Sequence, residues 1–281
     1  MLFIDKLDIK VSNNLSNTRL KSLFLPFLLL FVIVLILLIK NAFSIDGYIK
    51  IQENLFLFLN SKLSQLPILQ FNLTQLGDAL IIFPLLSIFI IYAPKIWGAV
   101  LTSGFISLIL SYVLKRLFAV PRPAAFFDTD RFVIVGKTLS GHTSLPSGHS
   151  ITAFSIITLL LFALMPKDFM SKILWSIFML SLGFIIVFSR VAVGAHYPID
   201  VVIGSTIGFI AAVLGIVINN NVNWFNWIGN KKYYPIFILV LIICGVAIVK
   251  KISETNLIIF YFPLIAIVST LYVMIKVYAK K

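Results

Sequence analysis

Three short polar clusters interrupt an otherwise apolar sequence: Lys115 with Arg122-Pro123, then Pro146-Ser147-Gly148-His149, then Ser189-Arg190 followed by His196 and Asp200. The histidines of the chain, His142, His149 and His196, all fall between Lys115 and Asp200. These residue types suit phosphoryl transfer. A phosphate ester spreads negative charge over its equatorial oxygens in the transition state, so catalysis needs fixed donors, an in-line nucleophile and an acid for the leaving oxygen. Lys115, Arg122 and Arg190 are cationic donors, and a guanidinium grips two oxygens at once. Ser147 and Gly148 precede an expected helix start at His149, where a hydroxyl and free backbone N–H groups face an anion. His196 and Asp200 stand at i and i+4, on one helical face if the helix includes both. Asp200 would then fix the imidazole tautomer and leave the other ring nitrogen free to attack phosphorus.

The elements that must position these groups are membrane helices. The chain has 281 residues, 60% of them hydrophobic and 12% charged, with a mean hydropathy of +1.06, far from the composition of a soluble domain. The formal charge of +13 sits at the ends of apolar runs rather than in one block, so a nucleic-acid partner is not expected. Cys244 is the sole cysteine, which leaves neither a disulfide nor a cysteine metal cluster. The sequence predicts an all-α polytopic bundle. A polar segment, 1–22, leads into an uncleaved first span at 23–39; further spans are expected at about 78–93, 96–114, 149–165, 172–188, 199–219, 234–249 and 256–275, about eight crossings in all. Segment 41–76 mixes charges with an apolar stripe and is expected to lie on the membrane, or alternatively to form a short hydrophobic hairpin packed on the core. Residues 23–219 form the expected membrane domain, 96–219 its catalytic core, and 220–281 an additional hairpin. This spacing brings all three clusters to one face, opposite the termini. The Lys and Arg counts of the two faces are nearly equal until the motif cations are set aside; the remaining surplus points to cytoplasmic termini.

Lys115-x6-Arg122-Pro123, Pro146-Ser147-Gly148-His149 and Ser189-Arg190-x5-His196-x3-Asp200 resemble, in order and spacing, the three-part signature of the type 2 phosphatidic acid phosphatase superfamily, relatives of the vanadium haloperoxidases, in its bacterial membrane branch. The resemblance covers about 96–219 and implies an all-helical core of six crossings. It also implies that His196 is the nucleophile that forms a phosphohistidine, Asp200 its orienting partner and His149 the general acid. Lys115, Arg122, Ser147, Gly148 and Arg190 would bind the phosphoryl oxygens, with no metal or other cofactor and no obligate protein partner. The implied reaction is hydrolysis of a phosphate or pyrophosphate on a lipid at the periplasmic face of a bacterial inner membrane. Undecaprenyl pyrophosphate, phosphatidylglycerol phosphate, phosphatidic acid and lipid A are the candidate substrates. Transfer of the phosphoryl group to an acceptor lipid uses the same residues, and a transporter or scaffold that binds anionic lipid is the non-enzymatic alternative.

Other residues have plainer readings. His142 contacts a headgroup or caps its loop, and Asp128, Asp130 and Arg131 form a solvated loop surface or select a headgroup. Arg116 reads as an interfacial anchor, and Trp224 and Trp227 as an aromatic belt. Asn72-Leu73-Thr74 matches a glycosylation acceptor that decides nothing alone.

Overall fold

The computed structural model describes residues 2–222 and 224–279, with side chains from residue 6 onward. No strand occurs among them. The helices are α1 (Leu2–Ser16), α2 (Phe24–Ile39), α3 (Ile45–Lys50), α4 (Glu53–Leu63), α5 (Pro67–Gln75), α6 (Ala79–Leu85), α7 (Phe89–Tyr92), α8 (Pro94–Phe118), α9 (Pro123–Phe126), α10 (Gly148–Ala163), α11 (Phe169–Ala192), α12 (Pro198–Val222), α13 (Tyr234–Thr255) and α14 (Tyr261–Ala279). Six helical segments among the described residues are long and apolar enough to cross a membrane: Leu20–Ile39, Pro94–Phe126, Phe169–Ala192, Pro198–Val222, Lys231–Thr255 and Ile258–Ala279. This is a polytopic membrane protein.

Two of the eight expected crossings take another form. The stretch expected to span 78–93 is broken into α6 and α7, with Pro84 inside α6, and α5 and α6 meet at a 70° bend. A proline removes a helix hydrogen bond and clashes with the preceding turn, so a straight span is disfavoured there. The other exception, α10, has only 16 residues, about 24 Å of rise where the hydrocarbon core is about 30 Å thick. It packs against α8, α11 and α12. Enclosed by protein, it need not match the lipid.

Burial ranks the helices from centre to rim. In its most apolar window α12 is 67% buried, against 17% for the segments of α2 and α13. Phe24, Phe31 and Ile39 of α2 and Ile243 and Val246 of α13 are exposed and face the hydrocarbon. Lipid tails are as apolar as Leu, so the centre is held by close packing of small residues rather than by the hydrophobic effect. On α12, a Cβ at Gly204 would stand 2.7 Å from Ser147 O, and one at Gly215 would stand 2.6 Å from Ser103 N. Both positions therefore require glycine for the backbones to meet.

The bundle has two unlike ends. At one end Asn14 Nδ2 donates to Ala163 O and Met165 O at 3.0 and 2.9 Å, satisfying carbonyls that the C-terminus of α10 leaves free. At the other end lie the α8–α10 loop, the α11–α12 turn, helices α3 to α5 and the turn between α13 and α14. They are stitched by Asn60 Nδ2 to Val191 O at 3.0 Å, Val133 N to Asn60 Oδ1 at 2.8 Å and Ile259 N to Asn72 Oδ1 at 3.0 Å. The polar clusters emerge at this second end.

Candidate active site

His196 sits in the turn between α11 and α12, which is fixed from several sides. Asn60 Nδ2 donates to Val191 O and Ala192 O at 3.0 and 3.1 Å, capping the end of α11. Tyr197, wholly buried, sets its ring edge-on to Phe56 and Phe127, with centroids 5.5 and 6.1 Å away. The first turn of α12 carries Asp200, whose Oδ2 accepts from Tyr197 N at 3.1 Å. A carboxylate reaching back to the residue before the helix is half of a capping box. The expectation of one shared helical face is corrected here: α12 begins at Pro198, so His196 precedes the helix and cap geometry, not the i,i+4 register, brings the two together.

The carboxylate of Asp200 is 0% exposed and carries several donors. Tyr48 Oη donates to Oδ1 at 2.6 Å, and Ser144 Oγ donates to Oδ2 at 2.6 Å. His196 Nδ1 lies 3.6 Å from Oδ2 and 3.4 Å from Ser144 Oγ, so the serine hydroxyl flanks the approach of imidazole to carboxylate and touches both. On the other side of the ring, Arg122 Nη1 lies 3.4 Å from His196 Nε2 and donates to Ala195 O at 3.3 Å. A guanidinium has donors only, so this contact requires an unprotonated Nε2 and places the ring proton on Nδ1, toward Ser144 and Asp200. Burial first, then Arg122, Arg190, Lys115 and His149, holds the His196 imidazole well below the usual histidine range. The ring is neutral at physiological pH. Burial and the adjacent Asp200 push the Tyr48 phenol well above its ordinary value, so it stays a donor.

The other cations close around this ring. Lys115, in the last turn of α8, brings Nζ to 3.2 Å from where a Gly148 Cβ would lie; glycine leaves that space open. Ser147 caps α10, its Oγ accepting from Ser150 Oγ at 2.9 Å, and Ser147 N donates to Asp200 O at 3.1 Å. Arg190 is 6% exposed and donates through Nη1 to Thr74 Oγ1 at 2.7 Å, while its buried Nε has no partner among the described residues. His149 packs over Gly77, where a Cβ would stand 2.6 Å from His149 Cβ. A cavity of about 550 Å³ between α6, α8 and α10 begins at Gly148 and His149 and continues along apolar walls.

The remaining polar residues of the window stay outside this cluster. His142 is exposed; its neighbour Gly141 supplies a carbonyl that accepts from Arg122 N at 2.9 Å. Arg116 lies over the Tyr112 ring at 4.4 Å, and Arg131 pairs with Glu53 at 2.7 Å. Trp224 is exposed, whereas Trp227 stacks on Phe237 at 5.6 Å. Asn72 is helical and 8% exposed, with Nδ2 on Ile68 O at 2.8 Å and Oδ1 on Ile259 N at 3.0 Å. An amide so engaged is a structural strut rather than a glycan acceptor.

Sequence reasoning missed Tyr48, Gln52, Thr74 and Ser144. Gln52 Nε2 donates to Tyr48 O at 2.9 Å and its Oε1 accepts from Ile199 N at 3.0 Å, tying α3 to the start of α12. A signal for some of them existed: Tyr48, Gln52 and Asn60 recur at multiples of four along 41–76, a polar face that solvent alone would not require.

Residues 96–224, which carry Lys115, Arg122, Ser147, His149, Arg190, His196 and Asp200, match the model of the PAP2 superfamily. Among curated proteins, the lipid A 1-phosphatase of Rhizobium etli is 36% identical over 123 residues, an alignment covering 42% of this chain and 48% of that protein. The lipid A 1-phosphatase of Rhizobium johnstonii is 38% identical over 105 residues, covering 36% and 38%. The chain therefore spans less than half the length of the curated relatives it matches. The crystal structure of Aquifex aeolicus LpxE is similar with a TM-score of 0.51 at 25% identity, covering 59% of this chain and 95% of that one.

Proposed function

We propose that the chain is a membrane lipid phosphatase that works through a phosphohistidine, with its site on the periplasmic face of a bacterial inner membrane. The observation that carries this reading is the polarised imidazole of His196: Nδ1 is backed by Ser144 and Asp200, while Nε2 faces Arg122. A buried ring with one free nitrogen aimed at cations is arranged for attack on a phosphate held by those cations. Lys115, Arg122, Arg190 with its unpartnered Nε, Ser147 and the start of α10 at Gly148 hold the phosphoryl oxygens.

Two displacements follow. Nε2 forms a bond to phosphorus as the phosphorus–oxygen bond to the lipid breaks, and His149, which takes up a proton as the negative charge of the substrate arrives beside it, donates that proton to the departing oxygen. Water then attacks the phosphohistidine, giving its proton to His149, and the nitrogen–phosphorus bond breaks to release inorganic phosphate. Asp200, with Ser144 beside it, stabilises the positive charge the ring acquires in between.

The relatives named lipid A 1-phosphatases support a lipid phosphate as substrate. The test is phosphate release by purified, detergent-solubilised protein from lipid A, phosphatidic acid, phosphatidylglycerol phosphate and undecaprenyl pyrophosphate. Wild-type protein should release phosphate from at least one of them with no acceptor lipid added, and His196→Ala should not. Full activity in His196→Ala would eliminate the nucleophile assignment. Product that forms only when an acceptor lipid is supplied would replace hydrolysis with transfer.

A further inference from the structure

The cavity that starts at His149 has a lining no catalytic step uses. Its walls carry Phe83 of α6, Val100, Leu101, Phe105 and Leu108 of α8, and Ile156 of α10. Phe105 and Leu108 are 63% and 67% exposed on the lipid-facing surface, so the cavity opens sideways into the hydrocarbon. An apolar groove with one end at the leaving-group acid and one side open to the bilayer suits a chain of the lipid whose phosphate is being cleaved.

Two side chains break the apolar character of the groove. Ser107 of α8 and Ser155 of α10 line it, are 7% and 3% exposed, and present hydroxyls with no partner among the described residues. The ordinary fate of a hydroxyl in a membrane helix is a bond to a carbonyl one turn back. Thr102, Ser103, Thr152, Ser205 and Thr206 all do this, but Ser107 and Ser155 do not. A buried hydroxyl left unpaired is costly, which points to a partner that arrives with the ligand. Position gives that partner its depth. Ser107 lies eight residues before Lys115 on α8 and Ser155 six after His149 on α10, about 12 and 9 Å along their helices. At that depth a lipid with acyl chains presents ester or amide carbonyls and chain hydroxyls. A polyprenyl chain offers only hydrocarbon.

Resting on the phosphatase reading above, we infer that this groove is a lipid-chain site in which Ser107 and Ser155 select acylated lipid phosphates over polyprenyl ones. Each lost hydrogen bond to the chain should cost about fivefold in apparent affinity. The experiment compares kcat/KM for phosphate release from lipid A, dioleoyl phosphatidic acid, its dialkyl ether counterpart and undecaprenyl pyrophosphate. Wild-type protein should favour an acylated substrate over the ether lipid and the pyrophosphate. Ser107→Ala/Ser155→Ala should lose about ten- to thirtyfold on that substrate, mainly through KM, which removes the preference. Thr158→Val removes another unpartnered buried hydroxyl, one that is not on the groove, and should leave the preference as it was. As a fold check, the double variant should melt no lower than wild type, since it removes hydroxyls that nothing in the protein satisfies.

Groove occupancy has a separate test in Gly104→Leu. A Cβ at Gly104 meets only Phe83, at 3.6 Å, so the larger side chain enters the groove and should raise KM for long-chain substrates more than for dihexanoyl phosphatidic acid. Undecaprenyl pyrophosphate as the best wild-type substrate, or a double variant that affects all substrates equally, overturns the inference while leaving the phosphatase reading intact. Wild-type protein that releases phosphate from none of the lipids overturns the phosphatase reading itself, and the inference with it.

Discussion

Tyr48 and Asp200 lie 152 positions apart and share a 2.6 Å hydrogen bond inside the protein. The phenol supplies the donor to Oδ1 of a carboxylate that has no contact with water, while Ser144 and Tyr197 N serve Oδ2. Helix α3 thereby helps hold the carboxylate that, in the proposed mechanism, orients His196. Tyr48→Phe keeps the ring and removes only this donor. A hydrogen bond to a charged group is worth about 1.5–3 kcal/mol, so turnover should fall by about ten- to a hundredfold. The expected signature in steady-state kinetics is a lower kcat with KM little changed, because the substrate never meets Tyr48. An unaltered kcat would show that the carboxylate is held well enough by its other donors.

Asp200→Asn should be more severe. Tyr48, Ser144 and Tyr197 N all direct protons at this side chain, and an amide offers one acceptor oxygen and an NH2 that opposes at least one of them. The variant should fold with lowered thermal stability and lose turnover by about a thousandfold or more, as an orienting carboxylate does when it becomes an amide. Near wild-type turnover in folded Asp200→Asn would remove the orienting role.

The parts of the site that were legible in the sequence are those whose chemistry is written in short spacings. Pro146-Ser147-Gly148-His149 and His196-x3-Asp200 each lie within a single turn or cap, so spacing alone placed their members near one another. The third partner of this pair was not legible: Ser144, which contacts both His196 and Asp200, is a loop residue brought in by a separate segment. Tyr48 and Thr74 were hidden for a related reason. They belong to 41–76, whose mixed composition shows an amphipathic segment but not which face meets the core. The break at 78–93 was signalled by Pro84. The short α10 was not, since an apolar run does not reveal whether lipid or protein surrounds it.

The charge state of His196 makes stability depend on pH in a definite direction. Burial, and then Arg122, Arg190, Lys115 and His149, hold its folded-state pKa well below the usual range, whereas an unfolded histidine titrates near about 6.5. Below that pH the unfolded chain binds a proton that the folded protein does not, so stability falls on acidification, by up to about 1.4 kcal/mol per pH unit from this group. Thermal unfolding of detergent-solubilised protein at pH 7.5 and pH 5 should show a lower midpoint at pH 5. His196→Gln, which cannot titrate, should narrow the gap. For the same reason the proposed nucleophile stays unprotonated on the acid side of neutrality, and the kcat/KM profile should show no His196 limb near pH 6.5. An equal acid shift in the glutamine variant would assign the effect to other groups.

The C-terminal hairpin reaches the site through α5. Ile259, between α13 and α14, donates to Asn72 Oδ1 at 3.0 Å, and two residues further on Thr74 receives Arg190 Nη1 at 2.7 Å. Lys251 of α13 pairs with Asp78 at 2.8 Å, just beyond Gly77, which backs His149. If α5 sets the position of the guanidinium, Thr74→Val should weaken the hold on phosphate, because Arg190 is buried and loses the acceptor that aims it. Apparent affinity for inorganic phosphate as a competitive inhibitor should drop about five- to tenfold, with a matching rise in KM. Thr74→Ser keeps the hydroxyl and should restore both. Asn72→Leu cuts the strut while leaving Thr74 in place, so its effect on phosphate inhibition should have the same sign and be smaller. Loss of thermal stability in Asn72→Leu with unchanged phosphate inhibition would make the strut purely structural and confine the positioning of Arg190 to Thr74.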